Sequence, residues 1–105
     1  MFLGIDLGTG SVKALLLDNE GNTVRETAET YPIMSPKPGW VETDPEEWWV
    51  ATIRAVKRCV QGELVEGIGF SGQMHSLVIV DKQGSPIRPA ILWADSRSAT
   101  EINQF

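Results

Sequence analysis

Apolar positions at the head of the chain come in two short blocks, FLGI at 2–5 and VKALLL at 12–17, split by DLGTGS. Blocks of this length bounded by glycine and small polar residues predict two strands joined by a tight turn. DNEGN at 18–22 is a second turn cluster, and TVRETAET at 23–30 alternates weakly, which predicts a third, partly exposed edge strand. YPIMSPKPGWVET follows with Pro32, Pro36 and Pro38, residues that cannot continue a sheet interior, so this stretch is expected to be an ordered surface loop.

The next element is a helix. Asp44 suits the N-cap, Pro45 the first helical position, and Glu47 completes a capping-box variant while complementing the helix dipole. Trp49, Ile53, Val56 and Val60 recur at helical spacing and predict the buried stripe, with Arg54, Lys57, Arg58 and Gln61 largely opposite and Gly62 as the stop. Cys59 falls on or beside that stripe and reads as packing. VEGIGFSG at 65–72 reads as a buried strand, while SLVIVD at 76–81 and IRPAILWAD at 87–95 are expected to pair as a hairpin, Pro89 marking an edge. SATE at 98–101 opens a further helix that would run to Phe105, the last residue, without a C-terminal cap; the expectation is a fragment of a longer protein.

Composition narrows the field. With 105 residues, 42% of them hydrophobic and 22% charged, the chain is a single domain over 1–105, too short for a two-lobed enzyme and unlike a disordered or coiled-coil sequence. Its formal net charge of -5 offers no footprint for nucleic acid or an anionic membrane, and no apolar run approaches the roughly 18 residues of a membrane span. One cysteine cannot close an internal disulfide, which points to a reducing, cytoplasmic setting.

The first turn carries the chemistry. In GIDLGTGSVK, Gly8 and Gly10 free the backbone amides to approach phosphate oxygens, Thr9 and Ser11 add neutral donors, and Lys13 adds a cation. Asp6 works against such a site: a carboxylate about 4 Å from a phosphate oxygen is repelled by roughly 4 kcal/mol at an effective dielectric of 20. A divalent cation removes the conflict, and Mg2+, held by one or two carboxylates plus substrate phosphates and water, is the natural one. The same residues also suit a plain glycine turn whose Asp and Thr satisfy local amides. Neither a Walker A loop nor a dinucleotide fingerprint is present here; GIGFSG at 67–72 matches the latter's spacing but lies inside a strand with no helix after it.

Two further clusters are candidates for a polyol site. GQMHS sets Gln73, Met74 and His75 at a strand end, where side chains of open α/β sheets reach a cleft, and a neutral imidazole offers one donor and one acceptor. Trp93 precedes Asp95 and Arg97 in WADSR; an indole can cover the C–H face of a sugar, although a tryptophan at a strand end also serves as core. Asp95 and Arg97 read equally as an ion pair holding a helix start. Trp40, Trp48 and Trp49 read as structural.

GIDLGTGSVKALLLDNEGN resembles the first phosphate hairpin of the actin-like ATPases, and with GWVETDPEEWW, GFSGQMHSLVIVD and RPAILWADSRS the whole chain resembles the N-terminal end of the FGGY carbohydrate kinases. The resemblance implies an α/β fold of the ribonuclease H-like, actin-like ATPase type: a partial first lobe with three antiparallel strands, a crossover helix, a fourth strand joining in parallel and an inserted β-hairpin. It implies ATP and Mg2+ as cofactors, with Asp6 anchoring the metal and Gly8, Thr9, Gly10, Ser11 and Lys13 around the ATP phosphates. Gln73, Met74, His75, Trp93 and Asp95 would then line the sugar site. The activity implied is phosphoryl transfer to a sugar hydroxyl, D-xylulose before gluconate, in a longer parent for which a homodimer is the expected assembly and whose missing second lobe carries most of the adenosine pocket. Its general base lies beyond residue 105, so this piece alone should be inactive. A non-catalytic interaction module is the reading from another class.

Overall fold

The computed structural model describes residues 1–102 and 104. The chain divides into two compact units, Met1–Tyr31 with Glu46–Gln73, and Pro32–Pro45 with Met74 onward. Among the described residues no helix is long and apolar enough to cross a membrane.

The first unit is built on a four-stranded sheet. Strands β1 (Phe2–Leu7), β2 (Ser11–Leu17) and β3 (Thr23–Thr30) run as an antiparallel meander. Two-residue alternation sends Leu3 and Ile5 of β1, and Val12, Ala14 and Leu16 of β2, to one face, where all are buried. Asp18 closes the second turn by accepting from the amides of Glu20 and Asn22. β3 is the sheet edge, as its pattern predicts. After β4 (Glu42–Thr43), which belongs to the second unit, β5 (Gly67–Gly72) returns beyond the helix to lie parallel to β1, giving the order β3-β2-β1-β5.

Helix α1 (Pro45–Val60) starts and stops where the caps place it, with Gln61 and Gly62 both at positive φ after its last turn. Its buried line is Ala51, Ala55 and Cys59, spaced one turn apart, with Trp48 packed beside them. Small residues let the helix come close to the branched side chains of β1 and β2. β3 holds the helix from the side: Thr27 Oγ1 donates to Ala55 O at 2.6 Å, Arg25 to Cys59 O at 2.6 Å, and Arg58 pairs with Glu29 at 2.6 Å. The arginine at Cys59 O also meets the negative end of the helix dipole.

This corrects the expected stripe at Trp49, while Val56 and Val60 do pack, partly buried, against the core. Trp49 is 62% exposed, because it lies one residue, about 100°, around the helix from Trp48. Trp49→Ala is therefore expected to change unfolding free energy by less than about 0.5 kcal/mol in urea titration, the range of an ordinary surface site, rather than the roughly 3–5 kcal/mol of a core tryptophan.

β5 is a second correction. Register places Ile68 and Phe70 on the same face as Leu3 and Ile5, yet they are 54% and 78% exposed, since the helix's bonds go to β3, at the opposite edge.

In the second unit, β4 (Glu42–Thr43) pairs antiparallel with β6 (Ala90–Ile91), so the proline-rich loop contributes a strand where none was expected. Met34 and Glu42 exchange backbone hydrogen bonds across that loop. The hairpin expected from 76–81 and 87–95 is reduced to bridges at Leu77–Ile91 and Val80–Pro86 around the turn from Asp81 to Ser85, because Pro86 and Pro89 interrupt the ladder and nothing covers Val78 to Val80. SATE does open a helix, α2 (Ala99–Ile102); Asn103 and Phe105 of its expected continuation lie outside the described residues.

Candidate functional site

The turn between β1 and β2 is closed by Gly8 N–H donating to Ser11 O at 2.9 Å. A Cβ on Gly8 would stand 3.0 Å from that oxygen, so any other residue would have to push the closing bond apart by a few tenths of an ångström, and glycine spares the turn that shift. Two residues from elsewhere in the unit fix the turn. Tyr31 N–H donates to Gly10 O at 3.1 Å, and its hydroxyl meets Gly8 O and, at 2.9 Å, Ser11 O. Gln73 N–H donates to Leu7 O at 2.9 Å, and its side-chain amide reaches Gly8 O at 3.4 Å. Gln73 thus stands with the glycine turn. Tyr31 carried no signal in the sequence beyond its place after the third strand.

Asp6 lies on the sheet face opposite Leu3 and Ile5, directly across from Lys13 on β2 and Ser71 on β5. It is exposed, and among the described residues its carboxylate makes no hydrogen bond or ion pair. Beside it runs a shallow groove of about 310 Å³, floored by Gly4 and Gly69 and bounded by Leu15 and Phe70. No group of three or more metal-ligating side chains exists among the described residues. A lone exposed carboxylate beside hydroxyls fits a hydrated Mg2+, which asks for one or two protein carboxylates, and does not fit an all-protein metal cage. Burial, then the charge of Asp6, pushes the Tyr31 phenol up to about 12, so it remains a neutral donor.

The second unit carries a hollow of about 480 Å³ whose wall includes His75, Trp93, Asp95 and Arg97. Three of the expected sugar-site residues, His75, Trp93 and Asp95, therefore share one concavity, while Met74, 71% exposed, is outside its wall. His75 holds φ 62°, a left-handed conformation that disfavours any residue with a Cβ. Trp93 is 56% exposed, and its main-chain N–H donates to Ser76 Oγ.

Beneath the hollow lies a charge network that the sequence showed only as the pair Asp95–Arg97. Asp95 Oδ1 accepts from Arg97 N–H at 2.9 Å and Nε at 2.8 Å; Oδ2 accepts from Arg97 Nη2 at 2.6 Å and Val41 N–H at 2.7 Å. Both oxygens are thereby engaged, and these bonds, those from Arg97 foremost, hold the carboxyl well below the usual range. Arg97 also donates to buried Glu42 at 2.7 Å and stacks on the Trp40 ring at 3.8 Å, and Arg88 pairs with the same Glu42 oxygen. Because the Asp95 value is depressed on folding, its contribution is complete above the unfolded carboxylate pKa of about 3.9 and lost as pH falls toward the folded value. Wild type and Asp95→Asn are expected to differ in denaturant midpoint at pH 7 and to converge in strong acid.

The model of the FGGY family of carbohydrate kinases, N-terminal domain, matches residues 1–105. The xylulose kinase of Staphylococcus epidermidis is 45% identical over 98% of this chain and 22% of its own. A crystal structure of a xylulose kinase from Brucella ovis superposes with a TM-score of 0.89 at 41% identity, covering 98% of this chain and 22% of that one. A gluconate kinase from Lactobacillus acidophilus gives 0.93 at 28% identity, covering 98% and 21%. The chain thus spans about a fifth of the length of the relatives it matches. The α/β fold is the actin-like one of these sugar kinases.

Proposed function

Since this chain belongs to the FGGY family of carbohydrate kinases, we propose that it forms the N-terminal part of the first lobe of an enzyme that phosphorylates a sugar hydroxyl with ATP, D-xylulose being the preferred acceptor. The observation that carries this reading is the exposed, uncommitted Asp6 carboxylate on the strand that enters the glycine turn. Phosphoryl transfer depends mainly on positioning and charge neutralisation, and the residues here divide those tasks.

In this assignment Asp6 holds hydrated Mg2+, which when bound neutralises phosphate charge. Gly8, its own amide spent on closing the turn, lets the chain fold there, while the Gly10 amide, the hydroxyls of Thr9 and Ser11, and the Lys13 ammonium orient the ATP phosphates. Gln73 braces the turn. His75 donates to and accepts from sugar hydroxyls and Trp93 covers the apolar C–H face, while Met74, outside the wall of the hollow, is left without a sugar contact. Asp95, with both oxygens engaged, positions the segment that carries Trp93. The general base belongs to the remainder of the enzyme beyond residue 105, and most of the adenosine pocket to its second lobe.

The test is coupled ADP release by the full-length protein with D-xylulose, gluconate and glycerol. The expected result is the highest kcat/KM for D-xylulose; no acceptor-dependent release from any of them would overturn the kinase reading. The similarity to a gluconate kinase makes gluconate the second candidate, and a gluconate preference would replace xylulose while keeping the class.

His75→Gly separates the side chain's role from its backbone. Losing the hydrogen bonds of a site built for hydroxyls is expected to raise the sugar KM about tenfold or more. Thermal stability should not fall, because glycine adopts φ 62° without the Cβ penalty of roughly 1–2 kcal/mol. A melting temperature several degrees lower with an unchanged KM would mean that His75 is structural.

A further inference from the structure

Three carbonyl oxygens of the glycine turn are engaged by one residue that lies outside it. The Tyr31 main-chain N–H takes Gly10 O, and its hydroxyl stands against Gly8 O and Ser11 O. A phenol has a single proton, so at any instant it donates to one of these oxygens while lying beside the other. The Tyr31 side chain is 6% exposed and belongs to the core cluster with Val12, Ala14 and Ala55. Its place is therefore set by packing, and the turn conforms to it.

The direction of those oxygens matters for an anion. Each peptide unit carries its negative end at the carbonyl oxygen, and in a planar trans peptide that oxygen points opposite to the following N–H. Oxygens turned toward Tyr31 are withheld from an anion seated elsewhere on the turn. Ser11 O stays tied to Gly8 N–H in the closing bond of the turn, but the Gly8 carbonyl, released from the hydroxyl, can rotate to present its negative dipole end to a phosphate. The Gln73 side-chain amide also reaches Gly8 O, but at 3.4 Å, a longer and weaker hold than the hydroxyl's.

We propose that Tyr31 is a positioning residue for the ATP phosphates: its hydroxyl keeps the Gly8 carbonyl oxygen turned inward, so that the turn offers donors rather than acceptors to the nucleotide. This rests on the kinase reading above. No part of the sugar hollow is involved, so the effect is confined to the nucleotide.

The experiment uses the full-length enzyme with Tyr31→Phe, which keeps the ring and removes the donor. The ATP KM should rise about tenfold, with the sugar KM and kcat at saturating ATP within twofold of wild type. Leu16→Val, a core change away from the turn, serves as the control and should lower the melting temperature without moving the ATP KM. A second variant, Tyr31→4-aminophenylalanine, restores a donor at the same place and should return the ATP KM to within twofold of wild type. The proposal is overturned if Tyr31→Phe leaves the ATP KM unchanged, whatever happens to stability, or if the amino variant is as impaired as the phenylalanine one. A wild-type enzyme that neither binds ATP in calorimetry nor phosphorylates any acceptor overturns the kinase reading and this role together; an active wild type with an unaffected Tyr31→Phe overturns this role alone.

Discussion

Glu42→Ala is expected to lower the unfolding free energy by about 3 kcal/mol. Its side chain is only 6% exposed, and one oxygen receives both Arg88 and Arg97. Truncation removes the acceptor and leaves two guanidinium groups facing each other, and breaking a buried ion pair from one side costs about 3–5 kcal/mol. The lower end applies, because Arg88 is about one-third exposed, at 34%, and solvent relieves part of the repulsion. The effect should reach the sugar side as well, since Arg97 also fixes Asp95, which fixes Val41 N–H and the segment leading from Trp93. Urea titration measures the first effect and the sugar KM the second. A stability loss under about 1 kcal/mol would mean that the network is solvated in solution and not a structural lock.

Asp6→Asn is expected to lower kcat/KM by about a hundredfold or more, the scale of removing one preorganised charge-stabilising group from an active site. Stability should be unaffected, because the carboxylate is exposed and makes no hydrogen bond or ion pair among the described residues. The variant keeps the shape of the side chain and loses its charge, so a heightened requirement for Mg2+ should accompany the loss. The full-length enzyme is assayed with D-xylulose while Mg2+ is titrated at fixed ATP. Activity within tenfold of wild type at ordinary Mg2+ would remove Asp6 from the metal site.

The first meander was legible because its information is local. Leu3 and Ile5, then Val12, Ala14 and Leu16, alternate so cleanly that a one-residue slip would expose all of them, and the turns between are written in glycine, Asp and Asn. The ends of α1 were equally plain, since caps are read within four residues. Its buried face was not, because size in the sequence favours Trp49 and Ile53, while the closeness of helix to sheet selects Ala51, Ala55 and Cys59. That distance is a tertiary property.

The candidate site divides in the same way. The glycine turn and its aspartate announce themselves by composition, and His75 and Trp93 by residue type near strand ends. What holds these residues comes from afar: Tyr31 is 20 positions from Ser11, and Glu42 is 55 from Arg97. The network around Glu42 also recruits Trp40 by stacking, a contact that no spacing rule anticipates. The strand expected at 76–81 failed for a different reason: an apolar run forms an extended ladder only where something covers it, and Leu77 to Val80 are all exposed.

Cys59, the chain's single cysteine, is wholly buried in the seam between α1 and the sheet. A thiol so placed can react with a soluble reagent only while the seam is parted, so the labelling rate becomes a clock for breathing of this unit. Native mass spectrometry of the labelled fraction, with and without nucleotide, would then show how often α1 lifts away and whether an occupied hairpin slows the ticking.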